Sequence, residues 1–404
     1  MNFARVTAPR ILRNAAARPQ AAPTQPPPSF ARCEVFTTID GARASWLELE
    51  ACASAPPYQS LAFLKAWLAT IGRAGGVTPF IVVARDSGGR LEALLPFGVT
   101  RVGPFRIASF LGGKDSNFNM GLYRPGLYAD RAALLDLLSR AAAFGSPQVD
   151  GFHCLNQPAQ WQGAVNPMVA LGGRQSPSAG HKTLLGDDFA GWVNAHYSRE
   201  AHKKLRKKAQ RLAAIGPVGH RIARNGAEAA EFLDAFVGQK TARMRELGLS
   251  HLWNPTLALA FLHQAREAGS LELHALYCGD EIVAAFGGLV RDDRLCGMFI
   301  SHRSDPQFAR CSPGELLLNE IVRNLIDRRF AAFDLGVGEA RYKAHCCETE
   351  EPLFDTFVAT SFSGAVLGAF LSARQRVKRS FKQSPVVWAV ISRLRKRWGE
   401  MISA

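Results

Sequence analysis

Hydrophobic and polar positions change their period several times along the chain, and the order of these changes predicts a mixed α/β protein. From residue 34, apolar runs of strand length are separated by turn signals such as Ser87-Gly88-Gly89 and Gly103-Pro104. Two segments with helical spacing, 61–71 and 132–143, interrupt these runs. The predicted strands of this region are 34–39, 78–85, 91–101, 106–110 and 149–155.

The same order of elements recurs in the second half of the chain. Helices are predicted at 199–214, 227–247, 256–268 and 313–328. Strands are predicted at 219–223, 271–277, 281–290, 295–301, 332–335 and 353–360. We therefore expect an α/β (α+β) fold of two tandem mixed-sheet halves, followed by helices. The expected divisions are a disordered Pro/Arg-rich leader at 1–33, a first half at 34–185, a second half at 186–362 and basic C-terminal helices at 363–404.

Charge is concentrated at the two ends of the chain. The 404 residues include 49 Lys and Arg against 34 Asp and Glu, a formal net charge of +15. Residues 1–33 carry five arginines and no acid, and residues 371–404 carry nine basic residues against Glu400. The body between them is close to neutral, which argues against a protein that coats nucleic acid.

Several protein classes are excluded or disfavoured by simple patterns. No apolar run approaches the roughly 18–20 residues needed to cross a bilayer. The eight cysteines show neither metal-binding nor disulfide-scaffold spacing, so we expect reduced thiols in a cytoplasmic protein without a metal. Residues 386–399 place apolar side chains at helical spacing among Arg and Lys, which predicts a helix that either lies on the inner face of an anionic membrane or packs on the body.

Residues 310–315, Arg-Cys-Ser-Pro-Gly-Glu, have the pattern of a helix start. Ser312 is a favourable N-cap, a proline follows at the first helical position, and Glu315 completes a capping box. A helix N-terminus also offers free N–H groups to a phosphate, with Arg310 and Gly314 beside it. Both a plain helix start and a phosphate site fit this segment.

The order of motifs in the second half resembles a known family. A Cys278-Gly279-Asp280-Glu281-Ile282-Val283-Ala284 hairpin precedes Asp305-Pro306, then Ser312-Pro313-Gly314, then Phe333-Asp334-Leu335-Gly336 and Tyr342-Lys343. Pro57-Tyr58-Gln59-Ser60 lies upstream. This order resembles the CelD-like branch of the GNAT acyltransferase superfamily, which is similar in fold to the FemABX aminoacyl transferases. The resemblance covers roughly residues 34–360 and implies two GNAT-like halves.

The resemblance implies an N-acyltransferase that moves an acyl group, in the first place acetyl, from acyl-CoA to an amine on a saccharide or envelope precursor. The thioester would lie beside strand 295–301, and the CoA phosphates would meet Arg310, Ser312, Gly314 and Glu315. Arg310 is followed by a glycine at four rather than three positions, so a carrier-protein or aminoacyl donor remains an alternative. The motif order also fits a non-catalytic envelope-assembly or polysaccharide-biosynthesis protein, or a FemABX-like transferase that uses tRNA.

Amine acylation needs a polarised donor carbonyl, a neutral amine and an acceptor for its proton. Asp334, Glu339 and Tyr342 cluster at the end of the predicted strand 332–335 and in the turn after it. We expect them to serve as base, base or acceptor-binding group, and acid, respectively. Turn capping and surface ion pairing are the structural alternatives for the first two. The candidate substrate-binding residues are Asp115, His302, Asp305 and Lys343.

A strongly basic helix is predicted at 199–211, with seven Lys and Arg residues and the single acid Glu200. Leu205 and Leu212 give it a narrow apolar stripe, so it should dock by one edge. Its other side is either a solvated face or an attractor of phosphates on CoA, a sugar nucleotide or tRNA.

Overall fold

The computed structural model describes residues 30–145, 148–340 and 343–383. Residues 1–29 of the predicted leader, Tyr342 and the tail helix at 386–399 lie outside these ranges. Within them the chain has the predicted mixed α/β fold, with two large sheets and helices on their faces. Most of the predicted elements are confirmed within a few residues at each end.

The strands are β1 (Arg32–Phe36), β2 (Thr78–Arg85), β3 (Leu91–Val102), β4 (Phe105–Phe110), β5 (Leu122–Tyr123), β6 (Gly151–Pro158), β7 (Gln160–Trp161), β8 (Ala164–Val165), β9 (Arg174–Gln175), β10 (Gly180–Leu184), β11 (Val218–Ile222), β12 (Glu272–Cys278), β13 (Glu281–Arg291), β14 (Arg294–His302), β15 (Ala332–Val337), β16 (Thr349–Glu351) and β17 (Leu353–Ala359). The helices are α1 (Arg43–Glu50), α2 (Leu61–Trp67), α3 (Arg131–Phe144), α4 (Phe189–His196), α5 (Arg199–Ala213), α6 (Gly226–Glu246), α7 (Pro255–Glu267), α8 (Pro306–Ala309), α9 (Pro313–Asp327), α10 (Lys343–Cys346) and α11 (Phe362–Gln383).

The two sheets repeat one arrangement. In the first, β1, β2, β3 and β4 form an antiparallel meander, and β4 then pairs with β6 in parallel after the α3 crossover. In the second, β11, β12, β13 and β14 form the meander, and β14 pairs in parallel with β15 after α9. A parallel pair requires a crossover connection, and in both sheets a helix supplies it.

Strands are also exchanged between the sheets. By chain order we placed 353–360 in the second half, but β17 pairs with β6 and β9 in the first sheet. Conversely, β10 pairs with β15 and β16 in the second sheet although it precedes residue 186. Each sheet therefore contains a strand that chain order alone assigns to the other half.

The hydrophobic core also crosses between the halves. One cluster of buried side chains runs from the first sheet through α2 into α6 and α7 of the second half, where the Phe63 and Phe261 rings meet at 5.5 Å between centroids. A second cluster lies around α9, whose buried Leu317, Ile321 and Leu325 recur every four residues and face the second sheet. Because the first cluster spans both halves, the interface between them is a packed apolar core.

A buried ionic cluster fastens β14 to β15. The Arg294 guanidinium forms ion pairs with Asp334 and with Glu351, the latter at 2.8 Å, and Lys182 pairs with Glu351 at 2.5 Å. The same guanidinium lies 3.9 Å from the ring centroid of Trp161 in the first half. Four charges of both signs thus compensate one another inside the protein, as buried charges must.

None of the helices in the described ranges is both long and apolar enough to span a membrane.

Candidate active site

Strands β14 and β15 part after three residue pairs. Their register is Arg294 with Ala332, Leu295 with Phe333 and Cys296 with Asp334, and within the described residues the pairing ends there. β14 continues to His302 and remains paired with β13, with an irregularity in register between Gly287 and Gly288. Bulges of this kind bend a strand and increase its twist. The result is an opening between β14 and the end of β15.

Two side chains from the first half lie where the strands part. The Asn117 amide donates to the Gly297 carbonyl of β14 at 2.8 Å, and the Val337 N–H of β15 donates to the Asn117 Oδ1 at 3.3 Å. The Tyr58 hydroxyl also donates to the Gly297 carbonyl, at 3.2 Å, and accepts from Asn117 at 2.8 Å. One amide from the first half therefore bridges the two diverging strands of the second.

Backbone geometry makes room for this amide. Gly336 has φ +77°, and a Cβ at that position would lie 2.6 Å from the Asn117 Nδ2. On the other side, Gly112 (φ +91°) and Gly113 (φ +51°) turn the chain sharply after β4 and direct residues 114–117 towards the second half. Glycine on both sides of the contact thus permits the close approach.

A cavity of about 780 Å³ opens beside the parted strands. Its walls are residues 298–300 of β14, the loop 114–117 of the first half, and α6, α7 and the turn between them. This volume is within the ordinary range of small-molecule sites. The polar lining side chains are Lys114, Asp115, Asn117, Lys240, Ser250, His251 and Asn254.

Asp115, predicted from the sequence to bind substrate, is part of this cavity wall. Its Oδ2 accepts a 2.9 Å hydrogen bond from the indole N–H of Trp67. Burial raises the pKa of the Asp115 carboxyl, although the Trp67 hydrogen bond and Lys114 act in the opposite direction. A carboxyl of raised pKa in a cavity is a common feature of acid–base sites.

Asp334 has a different place from the one we expected. It is completely buried, its Oδ2 is paired with Arg294, and its Oδ1 accepts from the Gly336 N–H at 2.6 Å. Burial raises its pKa, while Arg294 opposes the rise. The Arg294 pair joins β14 to β15, and the Gly336 N–H occupies the other oxygen within β15 itself. Both carboxylate oxygens therefore have partners inside the protein, which favours a structural role for Asp334.

The other predicted catalytic residues are not brought together with the cavity. Glu339 is exposed beyond the end of β15, with its Oε1 3.4 Å from the Nε2 of the buried His181. Tyr342 lies outside the described residues.

Lys343 holds the turn that follows β15. Its ammonium donates to the carbonyls of Gly336, Val337 and Gly338 at 3.0, 3.3 and 2.9 Å. The side chain is buried, and burial lowers its pKa. Because all three ammonium protons have backbone acceptors, Lys343 stabilises the loop instead of reaching a substrate as we predicted.

The predicted capping box at the start of α9 is wrong. Ser312 has left-handed backbone angles (φ +50°) and its side chain makes no capping hydrogen bond. Glu315 pairs with Lys208 of α5 at 2.5 Å, so its carboxylate is directed to another helix. Arg310 is exposed nearby, and Gly314 lies against the His302 ring, since a Cβ on Gly314 would be 3.3 Å from its Cδ2.

Asp305 and His302 do not form a pair. The Asp305 carboxylate accepts from Arg303 at 2.7 Å, whereas the His302 Nδ1 lies 3.1 Å from the Arg303 carbonyl oxygen. Only His302 borders the start of α9.

The basic helix docks as its stripe predicts. In α5, Leu205 and Leu212 are buried, and the Ser198 hydroxyl caps the N-terminus by accepting from the Ala201 N–H at 3.2 Å. Lys208 faces Glu315 at the start of α9, and most of the other basic side chains are exposed. The start of α9 therefore lies in a region of positive charge.

A comparison with protein families finds a match in the second half of the chain. Residues 199–344 match the family model of the acetyltransferase (GNAT) domain. The matched residues contain β14, α9, β15 and the opening between the strands. No curated protein matches the sequence.

Solved structures show a similar fold over most of the chain. A conserved protein of unknown function from Bacteroides thetaiotaomicron VPI-5482 has a TM-score of 0.50 at 11% identity, covering 81% of this chain and 98% of its own. FemX has a TM-score of 0.54 at 10% identity, covering 81% and 97%. A tandem GNAT protein from the clavulanic acid biosynthesis pathway has a TM-score of 0.45 at 12% identity, covering 82% and 99%. At these identities the likeness to the first two shows a shared fold alone.

Sequence reasoning missed Asn117, Lys240 and His251 as site residues. The signal was partial, since the sequence singled out Asp115 and the segment 57–60 but gave no indication that their surroundings reach the second sheet. No spacing rule connects residue 117 with residues 297 and 337, because their proximity depends on how the two sheets pack.

Alanine at Gly336 should destabilise the protein more than alanine at Gly338. Both glycines have positive φ, +77° and +99°, so each substitution costs about 1 kcal/mol in backbone energy. Only the Gly336 Cβ meets Asn117, and this overlap should add about 1–3 kcal/mol. Urea unfolding measures both values.

An Asn117→Ala background provides the matched control. In that background the alanine Cβ at position 336 no longer meets the Asn117 side chain. Gly336→Ala should then lower the free energy of unfolding no more than Gly338→Ala does. If the difference between the two alanine variants persists in that background, Asn117 does not determine the space at Gly336.

Proposed function

We propose that this protein is an N-acyltransferase that moves an acyl group, in the first place acetyl, from acyl-CoA to an amine. The observation that carries the proposal is the parting of β14 and β15 directly beside a cavity, within the region that matches the GNAT domain. A thioester in the opening would present its carbonyl to the unpaired edge of β14. An amine in the cavity would approach that carbonyl from the side of residues 298–300.

The CoA phosphates are proposed to lie at the start of α9. The α9 N-terminus contributes its dipole, and Arg310 and the exposed cations of α5 contribute charge. The carboxylate of Glu315 would oppose an anion there, but Lys208 compensates its charge. No described residues form a metal-binding cluster, and the proposed transfer uses none.

Asp115 is proposed as the base. The amine nitrogen attacks the thioester carbon, the new C–N bond forms, and the C–S bond breaks to release CoA. The nitrogen gives up one proton, which the Asp115 carboxylate accepts, and the leaving thiolate takes up a proton from an acid. A carboxylate of raised pKa holds a proton more strongly than an ordinary one and suits this role. Tyr342 remains the proposed acid, and Glu339 the alternative base.

Asn117 is proposed as a positioning residue. Its contacts with Gly297 and Val337 determine how far apart the strands stand where the thioester carbonyl would lie. Reactive groups must be placed within a few tenths of an ångström for efficient transfer, and a rigid bridge serves that purpose.

The acceptor and the surroundings are proposed from the CelD-like resemblance. We propose an amine on a saccharide or envelope precursor and a cytoplasmic protein at the inner face of the membrane. Helix α11 supports the location, because Phe362, Val366 and Phe370 are 88%, 54% and 65% exposed at a spacing of four residues. The opposite face of α11 packs through the buried Leu367, and the sequence that follows is strongly basic.

Replacing Lys208 by alanine should weaken acetyl-CoA binding about five- to tenfold, because it leaves the Glu315 charge uncompensated at the start of α9. Isothermal titration calorimetry measures the Kd. Lys65→Ala is the control, since Lys65 lies on α2 of the first half and pairs with Asp40 at 2.7 Å. Glu315→Gln should restore affinity in the Lys208→Ala background.

The donor is wrong if the wild-type protein does not bind acetyl-CoA. Salt-sensitive binding of aminoacyl-tRNA by the wild type in its place would favour the aminoacyl-transferase alternative, for which the exposed cations of α5 are the supporting observation.

Asp115→Asn should lower kcat by at least about 100-fold with little change in the KM for acetyl-CoA, because a general base contributes at least that much. In the wild type, the base works only when it is deprotonated. Its pKa is raised, so the rate should fall with decreasing pH at a value above the ordinary aspartate pKa of about 4. The Asn variant should lose this acid limb. If Glu339→Gln abolishes transfer and Asp115→Asn does not, Glu339 is the base.

The double variant Phe362→Ser/Phe370→Ser should sediment with phosphatidylglycerol-containing vesicles at least threefold less than the wild type. Both rings are exposed on α11 and would enter the membrane surface. Tyr128→Ser, which removes another exposed ring (68%) in the first half, should have no effect. If all three proteins sediment equally with the vesicles, α11 is not the membrane-binding surface.

A further inference from the structure

Two lysines and a histidine line the proposed acceptor cavity, and they come from three separate elements. Lys114 belongs to the loop after β4, Lys240 to α6, and His251 to the turn before α7. Within the described part of the chain, neither lysine forms an ion pair. Elsewhere, lysines beside carboxylates are paired, as Lys182 is with Glu351 and Lys208 with Glu315. The cavity therefore holds two ammonium groups outside any ion pair, although Lys114 is near enough to Asp115 to lower the pKa of its carboxyl.

This charge restricts the amine that can enter. Asp115 is the carboxylate of the cavity lining, and two lysines face the same space. A simple alkylamine is a cation at neutral pH and would be repelled, because two like charges in a partly buried site interact strongly. An acceptor that also carries a negative group would be attracted to the lysines and could still present its amine to Asp115.

The apolar part of the cavity is built from rings held in place. Phe236 and Phe299 stack with their centroids 4.0 Å apart, and Trp253 meets Phe236 at 6.2 Å. The Trp253 indole N–H donates to the Thr241 hydroxyl at 2.9 Å, which fixes the indole. Such a wall fits the apolar face of a sugar ring, and about 780 Å³ is ample for a monosaccharide with a charged substituent.

We propose that the acceptor is an anionic amino sugar, with its phosphate or carboxylate held by Lys240 and Lys114 and its amine directed to Asp115. The proposal deepens the proposed acyl transfer and rests on it for the role of the amine. The sugar ring lies against the wall formed by Phe236, Phe299 and Trp253, and Lys240 selects for the negative group.

Calorimetric titration of the full chain with three sugars tests this acceptor. D-Glucosamine carries only the amine, D-glucosamine 6-phosphate adds a phosphate, and muramic acid adds a carboxylate. At least one anionic sugar should bind at least tenfold more tightly than glucosamine, and the tighter of the two identifies the anion. The advantage should decrease with added salt.

Lys240→Gln should lower the affinity for the anionic sugar at least fivefold and leave the weak glucosamine binding unchanged. Lys65→Gln is the control, because Lys65 pairs with Asp40 on the surface and does not line the cavity. Circular dichroism confirms that both variants are folded. If glucosamine binds as tightly as the anionic sugars, or if no anionic sugar binds, the acceptor proposal is wrong.

The two proposals fail separately. Release of CoA thiol from acetyl-CoA with equal kcat/KM for glucosamine and its phosphate would reject the anionic acceptor and leave acyl transfer standing. Tight binding of an anionic amino sugar by a protein that does not bind acetyl-CoA would reject the donor and leave the sugar site standing.

Discussion

The hydrogen bonds of Asn117 join the two halves at the place where the second sheet opens. Two neighbouring parallel strands ordinarily satisfy each other's backbone groups along their whole length. Here the Asn117 side chain, from a loop of the first half, bonds to both the Gly297 carbonyl and the Val337 N–H. A buried backbone group without a partner is costly, so the opening depends on the first half for its stability. The second half has its own sheet and its own family match, yet its opening is completed by a residue of the first half.

The exchange of strands and the continuous core extend this dependence to the whole molecule. β17 lies in the first sheet and β10 in the second, and the apolar cluster around α2 and α7 belongs to both halves. The relative position of the sheets is therefore fixed by packing as tight as in a domain interior. A cavity between such halves keeps its shape, which is what the placement of an amine against a thioester requires.

The sequence was sufficient for the elements and insufficient for the site. The hydrophobic pattern predicted nearly every long strand and helix, because the long helices bury one face and central strands such as β3 and β13 are buried on both. Each of these patterns is local in sequence. The stripe of α5 was read correctly for the same reason. The capping box at Ser312 was predicted wrongly, because the partner of Glu315 comes from another part of the chain. Glu315 pairs with Lys208 of another helix, and the Ser312 backbone is left-handed.

The same distinction explains the candidate residues. Asp334 was chosen for its position at a strand end, but its burial beside Arg294 depends on residues forty positions away. Asp115 was predicted to bind substrate, and the structure puts it in the cavity wall. The sequence shows which side chains are charged. Whether a charged side chain is structural or reactive depends on the partner that it meets in the folded protein, which the sequence does not show.

The position of β17 in the first sheet affects how the protein folds during its synthesis. The first sheet contains β6 at residues 151–158, but the strand that covers its edge is made only at residues 353–359. While the ribosome adds the intervening residues, the edge of β6 is exposed and ready to pair with any extended segment. Pairings between strands so distant in sequence also form slowly. Completion of the first sheet is thus delayed until the chain has been synthesised through residue 359, and the partly built sheet is prone to mispairing until then.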